Sequence, residues 1–340
     1  MSITLVWLLQ TEDVVRTQRS IGVGLGMAVL SAATFGTSGT FARSLINAGW
    51  TAETAVVARI SIAGLILATP TVWVMRGRWR GMRRSLGTMG PFGVLAVAGA
   101  QLAFFKAIQY VPVGVALLLE YSGILLVVAW MWAVHGERPR PLTVAGAAAA
   151  IAGLALVLDL TGAEGLDPLG IAWGLGAAVG LAAYFVLSAR IDADLPSVAL
   201  ASGGMAVGAA LLLALGATGI LHLHATFERV TFAGHQVSWL VPVAGLSVIA
   251  AVIAFVAGIG AARVLGAALS SFVGLTEVLF AIAFAWFALG EVPTLMQAMG
   301  GVLIIGGIAL VRAGMLRTEV GATESTSDES AEPALAGAQC

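Results

Sequence analysis

Two acidic residues stand where acids are costly. Glu120 lies inside the apolar run Val113–Gly136, as Glu120-Tyr121-Ser122, and Glu277 lies inside the apolar run Leu265–Leu289. Each run is long enough to cross a bilayer, which takes about 20 apolar residues. A charged side chain at the centre of a membrane helix costs roughly 2.5–3.5 kcal/mol on insertion scales, so it faces a packed interior or a wet cavity rather than lipid. Two carboxyls bordering one low-dielectric space cannot both hold full charge cheaply, and this suits them to proton exchange.

The rest of the chain reads as the means of building that interior. Of its 340 residues 59% are hydrophobic and 10% charged, against about a quarter charged in a soluble globular chain. An all-α, multi-pass integral membrane protein is expected, because the apolar runs have the length of helices and lack the alternation of barrel strands. The net charge of −1 gives no sign of a nucleic-acid partner. The single cysteine, Cys340, excludes an intramolecular disulfide and a cysteine-based metal cluster. The short apolar run Ile3–Leu9 has acids Glu12 and Asp13 after it and no basic residue before it, the wrong order for a signal peptide. It reads as a frayed or interfacial part of a tail over residues 1–20.

Breaks at charges, prolines and turn residues predict ten spans, near 21–46, 53–75, 86–110, 113–135, 141–159, 169–190, 196–220, 237–261, 265–289 and 294–313. Around Val111-Pro112 the third and fourth spans are joined closely enough to require a hairpin. Arginines gather on one side of this arrangement: Arg16 and Arg19, the cluster Arg76 to Arg84, Arg138 and Arg140, Arg190, Arg263, Arg312 and Arg317. The positive-inside rule makes that side, and both termini, cytoplasmic. The final stretch, 318–340, is rich in Ser, Thr and Glu and reads as a disordered acidic tail.

The chain also repeats itself. A shift of 154 positions lays Trp132 on Trp286, Gly136-Glu137 on Gly290-Glu291, Pro139 on Pro293, Gly146 on Gly300 and Gly153 on Gly307. Residues 21–160 and 168–313 are thus two five-helix halves, and an odd number of spans in each inserts them in opposite orientations. Inverted repeats of this kind build transporters in which one bundle rocks against another around a site near the midplane. Small residues at helical spacing, such as Gly146, Ala150 and Gly153, let backbones approach closely.

These residues resemble a known group, the drug/metabolite transporter superfamily in its ten-helix EamA-like form. The resemblance rests on the arginine within Val57-Ala58-Arg59-Ile60-Ser61 and on the repeat-ending Gly136-Glu137-Arg138-Pro139 and Gly290-Glu291-Val292-Pro293. Within it, Leu119-Glu120-Tyr121-Ser122-Gly123 is similar to a stretch of the threonine/homoserine exporter branch, except that Ile124 replaces the usual proline. Val278 likewise replaces a proline that often follows the acid at Glu277. The resemblance implies secondary transport, typically proton-driven export of small metabolites.

Each candidate site residue carries a functional and a structural reading. Glu120 lies about 7 residues, or ~10 Å of helix, from the outer end of the fourth span. Lys106 lies at a similar depth across the hairpin, where it could pair with Glu120 or snorkel outward. Glu277 shares its repeat register with Gly123, one turn from Glu120, so the two acids could enter one cavity from opposite halves or serve as hydrogen-bonded structural groups. Arg59 sits close enough to the outer surface to snorkel, and could either bind a substrate carboxylate or cap neighbouring helix ends. Tyr121, Ser122, Gln101 and Tyr184 are polar groups that either line the cavity or hydrogen-bond between helices. His222, His224 and His235 share one external loop, without companions at metal-ligand spacing.

No metal or cofactor is implied, and no enzyme motif is present. The sequence therefore points to a carrier in the cytoplasmic membrane that exports a small substrate, with threonine- or homoserine-like amino acids as the first expectation and protons as the partner ion. A homodimer is left open. Uptake, drug efflux by the same fold, or a non-transporting receptor or scaffold are the alternatives.

Overall fold

The computed structural model describes residues 3–76, 86–107, 109–111, 113–136, 140–158, 167–190, 195–289 and 294–314; of residues 3–19, Val113, Gly114, His135, Ala285, Ala288 and Leu289 it describes the backbone alone. Pro112, both Gly-Glu-x-Pro motifs beyond Gly136, the arginines 78–84 and the tail 318–340 lie outside these residues.

Eight helices among the described residues are long and apolar enough to cross a membrane: Ser20–Asn47, Ala52–Val74, Leu86–Ala107, Val115–Val134, Pro168–Arg190, Ser197–Ala217, Leu240–Gly274 and Leu295–Gly314. Pro141–Val157 is a shorter apolar helix. The segment Leu240–Gly274 is two helices meeting at Gly266, whose φ of 78° and ψ of 166° break the helical path. That backbone region is essentially open to glycine alone. The eighth span ends there and the ninth begins, running on through Thr276–Leu289, which gives ten spans. In the 154-residue repeat Gly266 corresponds to Pro112, the position at which the sequence predicts the hairpin of the first half.

Local chemistry explains several ends. Thr51 precedes the second span and its Oγ1 accepts the Thr54 N–H at 3.4 Å. Asp167 Oδ1 accepts the Leu169 N–H at 2.8 Å ahead of the sixth span, as side chains at helix starts do for otherwise unpaired donors. The fourth span ends at Gly136, in the left-handed conformation with φ of 69°. At the N-terminus the backbone is helical from Ile3 through Gly36; the segment expected to be a frayed tail continues the helix of the first span.

Packing between the halves follows a pseudo-two-fold relation. The first span packs on the eighth and ninth, and the sixth on the third and fourth. The second and seventh pack together, the second also touching the eighth and the seventh the third. The fifth and tenth spans cross antiparallel at glycines. A methyl group added to Gly153 would lie 2.6 Å from the Gly300 carbonyl oxygen, and one added to Gly300 would lie 2.5 Å from that of Gly153. Such contact needs residues without side chains, and antiparallel crossing of equivalent helices is what two inverted halves produce. The fold is all-α, integral to the membrane, and built of two inverted five-helix repeats.

The third span of each half contains a π-helical segment at matching positions, Phe92–Gly99 and Gly245–Ile253. A second symmetric irregularity lies in the fourth and ninth spans, where the ladder tightens at Ser122 and at Leu275. Ser122 N–H donates to Leu118 and Leu119, and Leu275 N–H to Phe272.

Outside the spans, the loop after the seventh forms a two-stranded antiparallel hairpin, Arg229–Phe232 with His235–Ser238. Its turn residues Ala233 and Gly234 have φ of 48° and 78°, as a two-residue hairpin turn of type I′ requires. Phe232 stacks on Phe41 with ring centroids 5.2 Å apart, and Trp50 Nε1 donates to the Thr226 carbonyl at 2.6 Å. Phe41 thereby ties the hairpin to the second part of the first span, Ser38–Asn47.

Candidate functional site

The spans enclose a cavity of about 470 Å³. Its wall is drawn from the first, second, third, fourth, sixth, eighth and ninth spans, and Glu120, Glu277 and Arg59 all line it. The two acids are half-buried, and the accessible part of each looks into the cavity. Each halts next to a ladder break: Glu120 just before Ser122, and Glu277 in the first turn of the helix that starts at Thr276. In the repeat, Glu120 corresponds to Gly274 and Glu277 to Gly123, so each half contributes one acid and one glycine.

Close packing fixes the position of Glu277. A methyl group on Gly36 would lie 2.9 Å from the Glu277 carbonyl oxygen and 3.0 Å from the Ala281 nitrogen, which holds the ninth span against the first. The Tyr121 hydroxyl and the Glu277 carboxyl interact electrostatically, linking the fourth span to the ninth.

Arg59 is buried, with 8% of its surface exposed. It does not snorkel. Its Nη1 donates to Ser38 Oγ at 3.0 Å and its Nη2 to the Ala250 carbonyl. That carbonyl is available because of the π segment: the Ala254 N–H, which an α-helix would direct to Ala250, goes instead to Ile249 and Ala251. The guanidinium also stands over the Phe35 ring, 5.6 Å from its centroid, a favourable cation–π placement. It interacts electrostatically with both acids, and its Nε has no partner. Arg59 thus links the Ser38–Asn47 part of the first span, the eighth span and the acid pair.

Tyr121, Tyr184 and Gln101 also line the cavity. Gln101 donates through Nε2 to the Val97 carbonyl at 3.1 Å, leaving Oε1 without a partner. Two expectations fail. The Ser122 hydroxyl turns back to the Leu119 carbonyl of its own helix at 2.5 Å, as a hydroxyl in a tightened turn readily does. Lys106 does not pair with Glu120; its Nζ lies 3.4 Å from Glu53 Oε1 at the start of the second span, away from the cavity wall. Glu53, whose side chain is only 10% exposed, was missed because it reads as an ordinary helix-start acid. The aromatic lining, with Phe35, Phe104, Phe105, Phe185 and Phe255, was also unforeseen. The described residues contain no cluster of His, Cys, Asp or Glu able to hold a metal.

The fold and cavity define a membrane transporter of the drug/metabolite type, and comparison with known families agrees. The EamA-like transporter family matches residues 22–159 and 168–313, once for each half, and the chain belongs to that family. A solved crystal structure 22% identical in sequence shares the fold, with a TM-score of 0.65 over 89% of this chain and 99% of the other. Among curated proteins there is no match.

Proposed function

We propose that the chain is a non-enzymatic carrier that exports a small amino-bearing metabolite by proton-coupled alternating access, with threonine- or homoserine-like amino acids as the first substrates. The observation that carries this reading is that Glu120 and Glu277, from opposite halves, border one cavity with a single buried cation, Arg59, among its described lining residues. With a proton on one carboxyl, one carboxylate faces one guanidinium. A substrate ammonium takes the place of that proton, so the two compete for the same charge. The free Nε of Arg59 suits a substrate carboxylate.

Inverted halves supply the means of alternation. In this reading the chain lies in the cytoplasmic membrane with both termini inside, and the cavity exchanges access between the two faces. The test is flux of labelled threonine and homoserine through purified protein in liposomes, with and without a pH gradient. Gradient-driven flux supports the reading; absence of flux in folded protein removes the amino-acid assignment.

The aromatic wall favours a second reading, efflux of a larger amphiphilic cation. A cavity of about 470 Å³ falls within the roughly 300–1,000 Å³ usual for drug-sized ligands. Accelerated efflux of such a cation, with no amino-acid flux, would select it.

A further inference from the structure

Tyr184 carries an oxygen that the fold accommodates and does not use. Its ring is buried, with 6% of its surface exposed, and packs against four others. The centroids of Phe35, Phe92, Phe185 and Phe255 lie 6.5, 6.0, 5.0 and 5.5 Å away. Phenylalanine would satisfy all four contacts. By distance and angle the hydroxyl has no hydrogen-bond partner; Ser31, the one side chain that acts on it as a hydrogen-bonding group, gives its own hydrogen to the Ala254 carbonyl at 2.8 Å. A buried hydroxyl left unpaired carries its desolvation penalty without the bond that would offset it. The fold nonetheless makes room for it at Gly258, where any side chain would strike both the Tyr184 hydroxyl and Ser31 Oγ. Tyr184, Ser31 and Gly258 all line the cavity.

We propose that Tyr184, set against Gly258, is the specificity-determining residue of the carrier: its hydroxyl hydrogen-bonds an uncharged polar group of the substrate, a side-chain hydroxyl in the first instance. This rests on the reading of the cavity as an amino-acid site. Arg59 and Tyr184 both contact the Phe35 ring, and in this proposal an amino acid held at the charged groups extends its side chain along that ring toward the Tyr184 oxygen. A site built to hydrogen-bond a substrate hydroxyl discriminates strongly against the analogue lacking it, because the protein group is then left unpaired.

The test compares homoserine with α-aminobutyrate, the same skeleton without the hydroxyl. Binding of each is measured calorimetrically to full-length protein in lipid nanodiscs, for wild type and Tyr184→Phe. The expected result is a preference for homoserine of about tenfold or more in wild type. Tyr184→Phe abolishes it by weakening homoserine while α-aminobutyrate binds as before, and the variant melts no lower than wild type. Absence of a wild-type preference, a preference that survives the substitution, or equal weakening of both ligands overturns the proposal while the amino-acid reading stands. If neither ligand binds folded wild-type protein, the amino-acid reading itself fails and this proposal falls with it.

Discussion

Gly146 and Gly307 face each other so closely that a methyl group added to either would lie 2.6 Å from the carbonyl oxygen of the other. The same contact recurs at Gly153 and Gly300, their equivalents in the repeat. This double crossing joins the fifth and tenth spans behind the fourth and ninth, which carry the acids. Replacing Gly146 by Ala is expected to lower stability by about 1–3 kcal/mol, the usual cost of overpacking a close contact. Gly307→Ala should cost about the same, and Gly22→Ala, where a methyl group meets nothing within 4 Å, much less. Thermal unfolding in detergent measures the difference.

The hairpin glycine makes a separate prediction. Gly266 holds a backbone conformation that L side chains avoid, and a methyl group there would touch nothing within 4 Å. Its replacement by Ala therefore tests backbone strain alone, expected at about 1–3 kcal/mol. Unfolding midpoints should fall while substrate affinity per folded molecule stays unchanged.

Arg59 is expected to resist conservative replacement. A lysine ammonium is a point charge and cannot reach Ser38 Oγ and the Ala250 carbonyl in the guanidinium's fork geometry. Arg59→Lys should lower flux by at least about tenfold, and Ser38→Ala, which removes one of the two links, by less. Initial rates in liposomes at matched protein incorporation provide the comparison.

The Lys106–Glu53 pair should behave differently. It joins the end of the third span to the start of the second, with side chains 28% and 10% exposed, and neither residue lines the cavity. Lys106→Gln is predicted to leave gradient-driven flux within about twofold of wild type. A loss as severe as that of an acid-pair variant would return Lys106 to the site.

Much of this arrangement was legible before the structure. Charges, prolines and arginines marked the spans, because lipid excludes them from mid-membrane. The 154-residue register marked the repeat and paired Glu277 with the turn next to Glu120. The π segments were not legible, since Phe92–Gly99 and Gly245–Ile253 are uniformly apolar and carry no periodicity to betray a wider ladder. Equal depth across the hairpin allows Lys106 to pair with Glu120 or to snorkel, whereas its partner, Glu53, lies at a helix start whose position beside Lys106 the sequence does not show. Ser122 was misread because a hydroxyl on a membrane helix can serve its own backbone as readily as a cavity. Arg59 was placed near the surface by counting residues; the Ala250 carbonyl that holds it inside exists only because of the undetected π segment.

The claim that two acids from opposite halves form one exchange site is tested most directly by proton release. Homoserine is added to purified protein in lightly buffered solution near neutral pH, and the released protons are counted for wild type, Glu120→Gln and Glu277→Gln. The account predicts proton release on binding in wild type and its loss in at least one variant that remains folded. Substrate binding without proton release in wild type, or undiminished release in both variants, would contradict it.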